Sequence, residues 1–569
     1  MTKSNIVRQY SYGYYYVVFL FLISTFALLM IGGGPVTNDE LKYIQASMFD
    51  SAEPRLLNRY AHIYIQKLAI WISGDVIGGF QLMWAVLISA TSVSIYWSIQ
   101  VLTKWANPFL GLLGILVFLA QPLVFRFVGV TYVDFTVMSA LSISLAIYLN
   151  QTQIDVVNRS SALFLGVLFL IAIKSKEPGA ISILFLAGLL VQFYENKQWV
   201  TLLFYWLIGV LISFAFLICA DAYFLGDFLF SISKSNVGAL VDFNTGDRIR
   251  INANWFSILT TSAVFMPFIF YLLSSFSNKD TKKFEIKIVY LIPIAFIFLI
   301  TLAMVFGRVR AIPRYIIPII PILSVLSIVY LENIGAFKKR VFHFTSRSKW
   351  LFVLILIIAI PTIFYFFKDK TTGVMFNGWT PKLFLYDIFY PTLIMVLFSV
   401  FILFRKESLF RIRATILLFF IGIAPMLLFL PNNLLYTSIE FDERSEPIKI
   451  FMNKLELAES TRILITPSAA FTKRGSFVGA LLPLYLKEPF ECVHVQDNYP
   501  MVCKKPEDKF YSEPLNSNWK SNIKVDYIIA TTSDMDRWKI ADEFENNNNS
   551  IIRDGNYALV CFNKNCLDL

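Results

Sequence analysis

The sequence predicts an all-α polytopic membrane domain followed by a small α/β domain. Three observations predict it. Apolar residues make up 57% of the 569 positions and mean hydropathy is +0.62, whereas soluble domains run at about 45–50% apolar. Apolar windows of about 20 residues, each long enough to cross a bilayer, recur up to residue 430. Beyond Pro431 the chain turns polar and alternates short strand-like and helix-like segments.

Charge divides the chain at the same place. Residues 431–569 hold 16 basic and 20 acidic residues, and residues 1–430 hold 34 and 19, within a net charge of +11. The basic residues of the first part are scattered among apolar runs and form no stripe, which argues against nucleic acid as a partner. The first apolar run, near 14–31, lacks a small-x-small cleavage site and reads as a retained span.

In order, Lys3 and Arg8 place the N-terminus on the cytoplasmic side. After the first span comes a long outer loop, 33–78, in which Tyr60, Ile63, Tyr64, Leu68 and Trp71 suggest short amphipathic helices in the interface. Further spans read as 79–101, 109–124, 130–150, 162–173, 180–194 and 199–220, with an outer loop at 221–254. The eighth span then ends at a basic loop holding Lys279, Lys282, Lys283 and Lys287. Spans at 289–306, 315–331, 350–367, 383–404 and 414–430 make about thirteen. The densest basic loops then lie inside and the tail outside.

In the tail, 462–465, 525–529 and 557–560 read as buried strands, and 448–457 and 477–486 as helices. Cys492, Cys503, Cys561 and Cys566 form two close pairs. Disulfides Cys492–Cys503 and Cys561–Cys566 are expected, although three connectivities exist; zinc is the competing reading, but the spacing lacks a C-x2-C pair. Disulfides need an oxidising compartment, in agreement with an external tail. Cys219, alone in a span, reads as packing.

The counted topology gathers polar residues on the outer face. They are Asp39, Glu40, Arg55, Arg59, His62, Arg126, Asp134, Lys174, Lys176, Glu177, Arg308, Arg310 and Arg314, with Tyr315 beside the last. Carboxylates facing several cations suit an anionic substrate at a membrane surface, because guanidinium offers a planar fork to phosphate. Each residue also has a plainer reading. Asp39 and Glu40 follow Thr37 and Asn38 and fit a capped first helical turn. Arg126, Lys174 and Lys176 fit snorkelling anchors, and Asp134 fits a helix cap.

Four short motifs carry a resemblance. They are Asp39-Glu40-Leu41-Lys42-Tyr43 after the first span, Asp134 at the fourth, Lys176-Glu177-Pro178 at the fifth, and Arg314-Tyr315 with Pro318 and Pro321 at the tenth. In this order, with about thirteen spans and an outer tail, the chain resembles the GT-C superfamily of polyprenyl-phosphate-sugar-dependent glycosyltransferases. That superfamily includes protein O-mannosyltransferases and the lipid A aminoarabinose transferase. One departure stands out. Many members carry a His-Pro-Pro-type segment in the first outer loop, and the equivalent here, Asn58-Arg59-Tyr60-Ala61-His62, has no proline. The sugar and the acceptor therefore stay open.

The resemblance implies a GT-C-type membrane domain, a polyprenyl-phosphate-linked sugar donor, and a lipid, glycan or protein acceptor on the outer face. A phosphate is already a good leaving group, so one carboxylate base suffices and direct displacement inverts the anomeric centre. Asp39 is the expected base and Glu40 its positioner. Arg59, His62, Arg126, Asp134, Lys174, Lys176, Arg308, Arg310, Arg314 and Tyr315 are the expected substrate-binding residues. A divalent cation held by Asp39 and Asp134 is compatible with this chemistry but not required by it. The expected setting is a bacterial inner membrane with a periplasmic tail. A transporter of an anionic or lipid-linked substrate is the competing class, although transporters place charge near the midplane with inverted repeats. No P-loop or dinucleotide fingerprint is present.

Overall fold

The structure, a computed structural model, describes residues 17–30, 43, 46–48, 59–105, 107–119, 121, 124, 132–228, 284–305, 313–336, 412, 462–465, 491–494, 501–504, 526–537, 550–554 and 556–561. The chain divides into two compact units, Met1–Gly32 with Ala52–Tyr436, and Gly33–Ser51 with Thr437–Leu569. The sequence reading placed all of 33–78 in the first domain; the division assigns 33–51 to the second unit.

The first unit is helical. Its described helices are α1 (Val17–Leu29), α2 (Tyr60–Ser73), α3 (Val76–Leu102), α4 (Pro108–Leu119), α5 (Val133–Gln151), α6 (Arg159–Ser175), α7 (Ile183–Tyr194), α8 (Trp199–Leu225), α9 (Phe284–Val305) and α10 (Ile320–Asn333). Two 3-10 turns, Glu177–Ser182 and Pro313–Ile319, lead into α7 and α10. Among the described residues, five helical stretches are long and apolar enough to cross a membrane: Val76–Leu102, Val133–Gln151, Glu177–Tyr194, Trp199–Leu225 and Tyr315–Asn333. The chain is an integral membrane protein. The expected eighth, eleventh, twelfth and thirteenth spans lie outside the described residues.

Local chemistry explains the breaks. Gly74 takes a left-handed φ of 70° and closes α2, and its N–H bonds the carbonyl of Ile70 at 2.9 Å. Asp75 then caps α3, its Oδ2 accepting from the Gly78 N–H at 2.7 Å. Helix α2 spans the five residues that suggested short amphipathic helices, and most of 33–58 lies outside the described residues. Tyr60, Ile63 and Tyr64 are buried, while Leu68 and Trp71 stay exposed. Helices α6 and α8 approach closely through a reciprocal pair of glycines. A methyl group at Gly166 would overlap the carbonyl of Trp206, and one at Gly209 the carbonyl of Leu163. Small residues that let backbones touch are how helices associate where lipid is as apolar as their side chains.

Two sequence expectations change here. Helix α8 does not stop at residue 220 but runs to Leu225, ended by Gly226 at φ 66°. Asp221, expected at the head of an outer loop, is therefore helical and fully buried. Cys219 is a free, exposed cysteine instead of a packing residue.

The second unit holds a six-stranded sheet: β1 (Arg462–Ile465), β2 (Glu491–His494), β3 (Met501–Lys504), β4 (Tyr527–Thr531), β5 (Ser550–Asp554) and β6 (Tyr557–Cys561), in the order β2-β3-β1-β4-β6-β5. A short helix, α11 (Thr532–Arg537), follows β4. Only the β1–β4 pair is parallel. The expected strands at 462–465, 525–529 and 557–560 match β1, β4 and β6 to within two residues, whereas β2, β3 and β5 were not anticipated. The helices expected at 448–457 and 477–486 lie outside the described residues. Cys492 and Cys503 stand opposite each other in the β2–β3 register.

Candidate functional site

The α6–α7 junction builds the centre of the site. Pro178 has no N–H to continue a helix and disfavours helical geometry before it. The chain leaves α6 at Lys176, which is extended at φ −163° and ψ 142°, and tightens into the 3-10 turn Glu177–Ser182. Gly179 sits against the backbone of Ala172, so the turn folds back on the end of α6.

This break aims Lys176 inward, where it is only 7% exposed. Its Nζ donates to Asp134 Oδ1 at 2.5 Å and lies 3.8 Å from the centroid of the Tyr315 ring. Asp134, in the first turn of α5, is 1% exposed, and its Oδ2 has no hydrogen-bond partner among the described residues. Tyr315 comes from the 3-10 turn ahead of α10. One ammonium is thus held between a buried carboxylate and the face of a partly exposed aromatic ring. A buried ion pair in a spanning segment is costly unless paired and used, and its presence points to function.

Helix α2 brings three more polar groups. Arg59 Nη1 donates to Glu177 Oε2 at 3.1 Å, to its Oε1 at 3.2 Å, and to the carbonyl of Ser175 at 3.4 Å. His62 is fully buried, with Nδ1 at 2.8 Å from Thr136 Oγ1, two residues beyond Asp134 on α5. Tyr64 Oη donates to Asp221 Oδ1 on α8 at 2.5 Å. These pins fix α2 against α5, α8 and the α6–α7 junction.

The structure thereby joins Asp134, Lys176 and Tyr315, and sets Arg59 and His62 onto the same junction and helix. It separates Lys174 from Lys176: the charge that acts on Lys174 is that of Asp221. Asp39, Glu40, Arg126, Arg308 and Arg310 lie outside the described residues, as does the side chain of Arg314. The sequence reading gives Glu177 as one of the outer-face charges and as part of the Lys176-Glu177-Pro178 motif, and Tyr64 only as an interfacial aromatic. Thr136, Ser175 and Asp221 had been given no role. Asp221 had a signal, a carboxylate at the close of a 27-residue apolar helix. Thr136 and Ser175 had none, since hydroxyls are common in spanning helices. Among the described residues, no group of three or more His, Cys, Asp or Glu could hold a metal ion.

No family model and no curated protein matches the chain. Two solved structures do. One is "Crystal Structure of ArnT from Cupriavidus metallidurans bound to Undecaprenyl phosphate", similar at a TM-score of 0.51 and 15% identity, covering 96% of this chain and 97% of that one. The other is ArnT from the same organism in the apo state, at 0.51 and 16%, covering 95% and 97%. The chain shares the fold of ArnT. At this identity the likeness speaks to fold, and it extends over nearly the whole chain. Within this fold, the Lys176–Asp134–Tyr315 cluster is a buried charged centre of the described spans.

Proposed function

We propose that this protein is a membrane glycosyltransferase that moves a sugar from a polyprenyl-phosphate donor to an acceptor on the outer, periplasmic face. The observation that carries the reading is the desolvated Lys176 ammonium, held by Asp134 and Tyr315, in a fold shared over 96% of the chain with ArnT, whose structure holds undecaprenyl phosphate. A fixed cation in a water-poor site stabilises the charge that grows on a departing phosphate. Lys176 is the proposed phosphate contact, assisted by Arg59, Arg314 and Tyr315. His62, Arg126, Lys174, Arg308 and Arg310 complete the proposed substrate-binding set. Asp39 is the proposed general base, with Glu40 beside it, and the displacement inverts the anomeric centre.

Two disulfides belong to the same proposal. Opposed residues on antiparallel strands have Cβ atoms about 4.5–5.5 Å apart, near the range a disulfide needs, which supports Cys492–Cys503. Cys566, five residues beyond Cys561, is its proposed partner. Non-reducing peptide mapping checks both pairs.

The deciding experiment follows release of undecaprenyl phosphate from a sugar-loaded lipid by the purified protein in detergent, with and without acceptor membranes. Release coupled to sugar transfer is expected; movement of intact lipid-linked sugar without cleavage would mean a transporter. Asp39→Asn keeps shape and capping ability but cannot take a proton. It should leave donor binding near normal while transfer falls by about 10²–10⁴. A fully active Asp39→Asn protein removes Asp39 from the mechanism.

A further inference from the structure

Ser175 is fully buried, and its Oγ has no hydrogen-bond partner among the described residues. Hydroxyls inside a helix usually avoid that state by bonding the carbonyl one turn back. This protein does so repeatedly: Thr91 bonds Leu87, Ser94 bonds Ala90, Ser142 bonds Met138, Ser324 bonds Ile320 and Ser327 bonds Leu323, all at 2.7–2.9 Å. Ser175 forgoes the bond although it ends a regular helix.

Its surroundings make the exception informative. The carbonyl of Ser175 receives the Arg59 guanidinium, and a side-chain hydroxyl cannot lie far from its own carbonyl. The next residue is Lys176, whose partner Asp134 carries a second unsatisfied buried atom, Oδ2. One open donor and one open acceptor therefore occur in the residues flanking a single buried ammonium. Buried polar atoms without partners are few in folded proteins, and each needs a reason. For the Ser175 donor a phosphate group supplies one, because its oxygens accept from hydroxyls, guanidinium and ammonium alike.

We propose that Ser175 is a further substrate-binding residue whose Oγ donates to a phosphate oxygen of the polyprenyl-phosphate group held by Lys176. This rests on the donor class proposed above and adds a neutral donor to it. Among the described residues, three other buried serine hydroxyls, those of Ser89, Ser98 and Ser144, and the hydroxyl of Thr25 have no hydrogen-bond partner either. Ser144 lies ten residues along α5 from Asp134, about 15 Å at 1.5 Å per residue, and serves as the matched control.

The test measures binding of undecaprenyl phosphate to the full chain in detergent, with uncharged undecaprenol as the tail-only probe, and the unfolding temperature of the ligand-free protein. Ser175→Ala should weaken undecaprenyl phosphate binding about 10-fold and leave undecaprenol binding unchanged. It should also leave the ligand-free unfolding temperature equal or raise it, since an unsatisfied donor has been removed. Ser144→Ala should leave phosphate binding unchanged. Lys176→Ala separates the two layers of the argument. If Lys176→Ala weakens binding and Ser175→Ala does not, the Ser175 role is wrong. If neither does, the phosphate sits elsewhere and the donor-site reading fails with it. Equal loss of undecaprenol and undecaprenyl phosphate in Ser175→Ala would trace the effect to packing and overturn the role.

Discussion

Helices α5 and α8 both cross the membrane and both bury an aspartate near one end, yet they differ in nearly everything else. The apolar window of α5 is 83% buried and that of α8 only 28%. Helix α5 is threaded with Thr136, Ser139, Ser142 and Ser144, all buried, whereas α8 exposes Phe204, Leu207, Leu211, Ile212 and Phe216. In water the more apolar helix would be the inner one. In lipid, apolar surface gains nothing by leaving its surroundings, so the helix carrying small and polar groups takes the centre. The aspartates follow their helices. Asp134 meets an ammonium with one oxygen and keeps the other open. Asp221 accepts from the Tyr64 hydroxyl and acts on the charge of Lys174, as a group that pins one helix to another. Lys174 and Lys176, two residues apart, answer to different carboxylates.

Substitutions can break or sharpen this contrast. The largest effect is expected at Asp134→Ala, which strands the Lys176 ammonium in a buried site and should cost about 3–5 kcal/mol. Pairing Asp134→Leu with Lys176→Met should restore most of that stability without restoring undecaprenyl phosphate binding. Thermal unfolding in detergent and a binding assay, read together, check both halves. Recovery of binding in the double variant would show that the pair is only structural.

Tyr64→Phe removes the hydroxyl that satisfies Asp221 and should cost about 1.5–3 kcal/mol, while phosphate binding stays within about twofold of the parent. If binding collapses with Tyr64→Phe, the two aspartates belong to one site and the contrast fails. Gly209→Ala should cost about 1–3 kcal/mol through overlap with α6, an effect that Gly166→Ala reproduces if the approach is reciprocal. Glu177→Gln should do least. The Glu177 side chain is 60% exposed, so losing its pair with Arg59 is worth under about 1 kcal/mol and less at high salt.

The contrast also shows what the sequence could and could not reveal. Asp134, Lys176 and Tyr315 were legible because each sits at the end of an apolar run on the same counted side. Asp221 has the same position but was read as the start of a loop. The first charge after an apolar run looks like a boundary, and nothing in the local sequence shows its bond to the Tyr64 hydroxyl, 157 positions away. The sheet divides along similar lines. Strands β1, β4 and β6 lie inside the sheet and have largely buried residues, so they appear as continuous apolar runs. Strands β2 and β5 are the edges, and Glu491, Arg553 and Asp554 break their patterns. Edge strands carry charge for a physical reason, since it discourages pairing with other chains.

The strand order sets a timetable for the second unit. Strand β6 is the last of the six in the chain but does not lie last in the sheet; it inserts between β4 and β5. A growing chain that has passed residue 554 but not residue 557 holds β4 and β5 with nothing between them, because each pairs with β6 and not with the other. The parallel β1–β4 pair imposes a second wait, since Ile463 must remain available until Tyr527 arrives. Completion of this sheet therefore waits for the last strand, and a ribosome halted before residue 557 leaves unpaired strand edges open to aggregation.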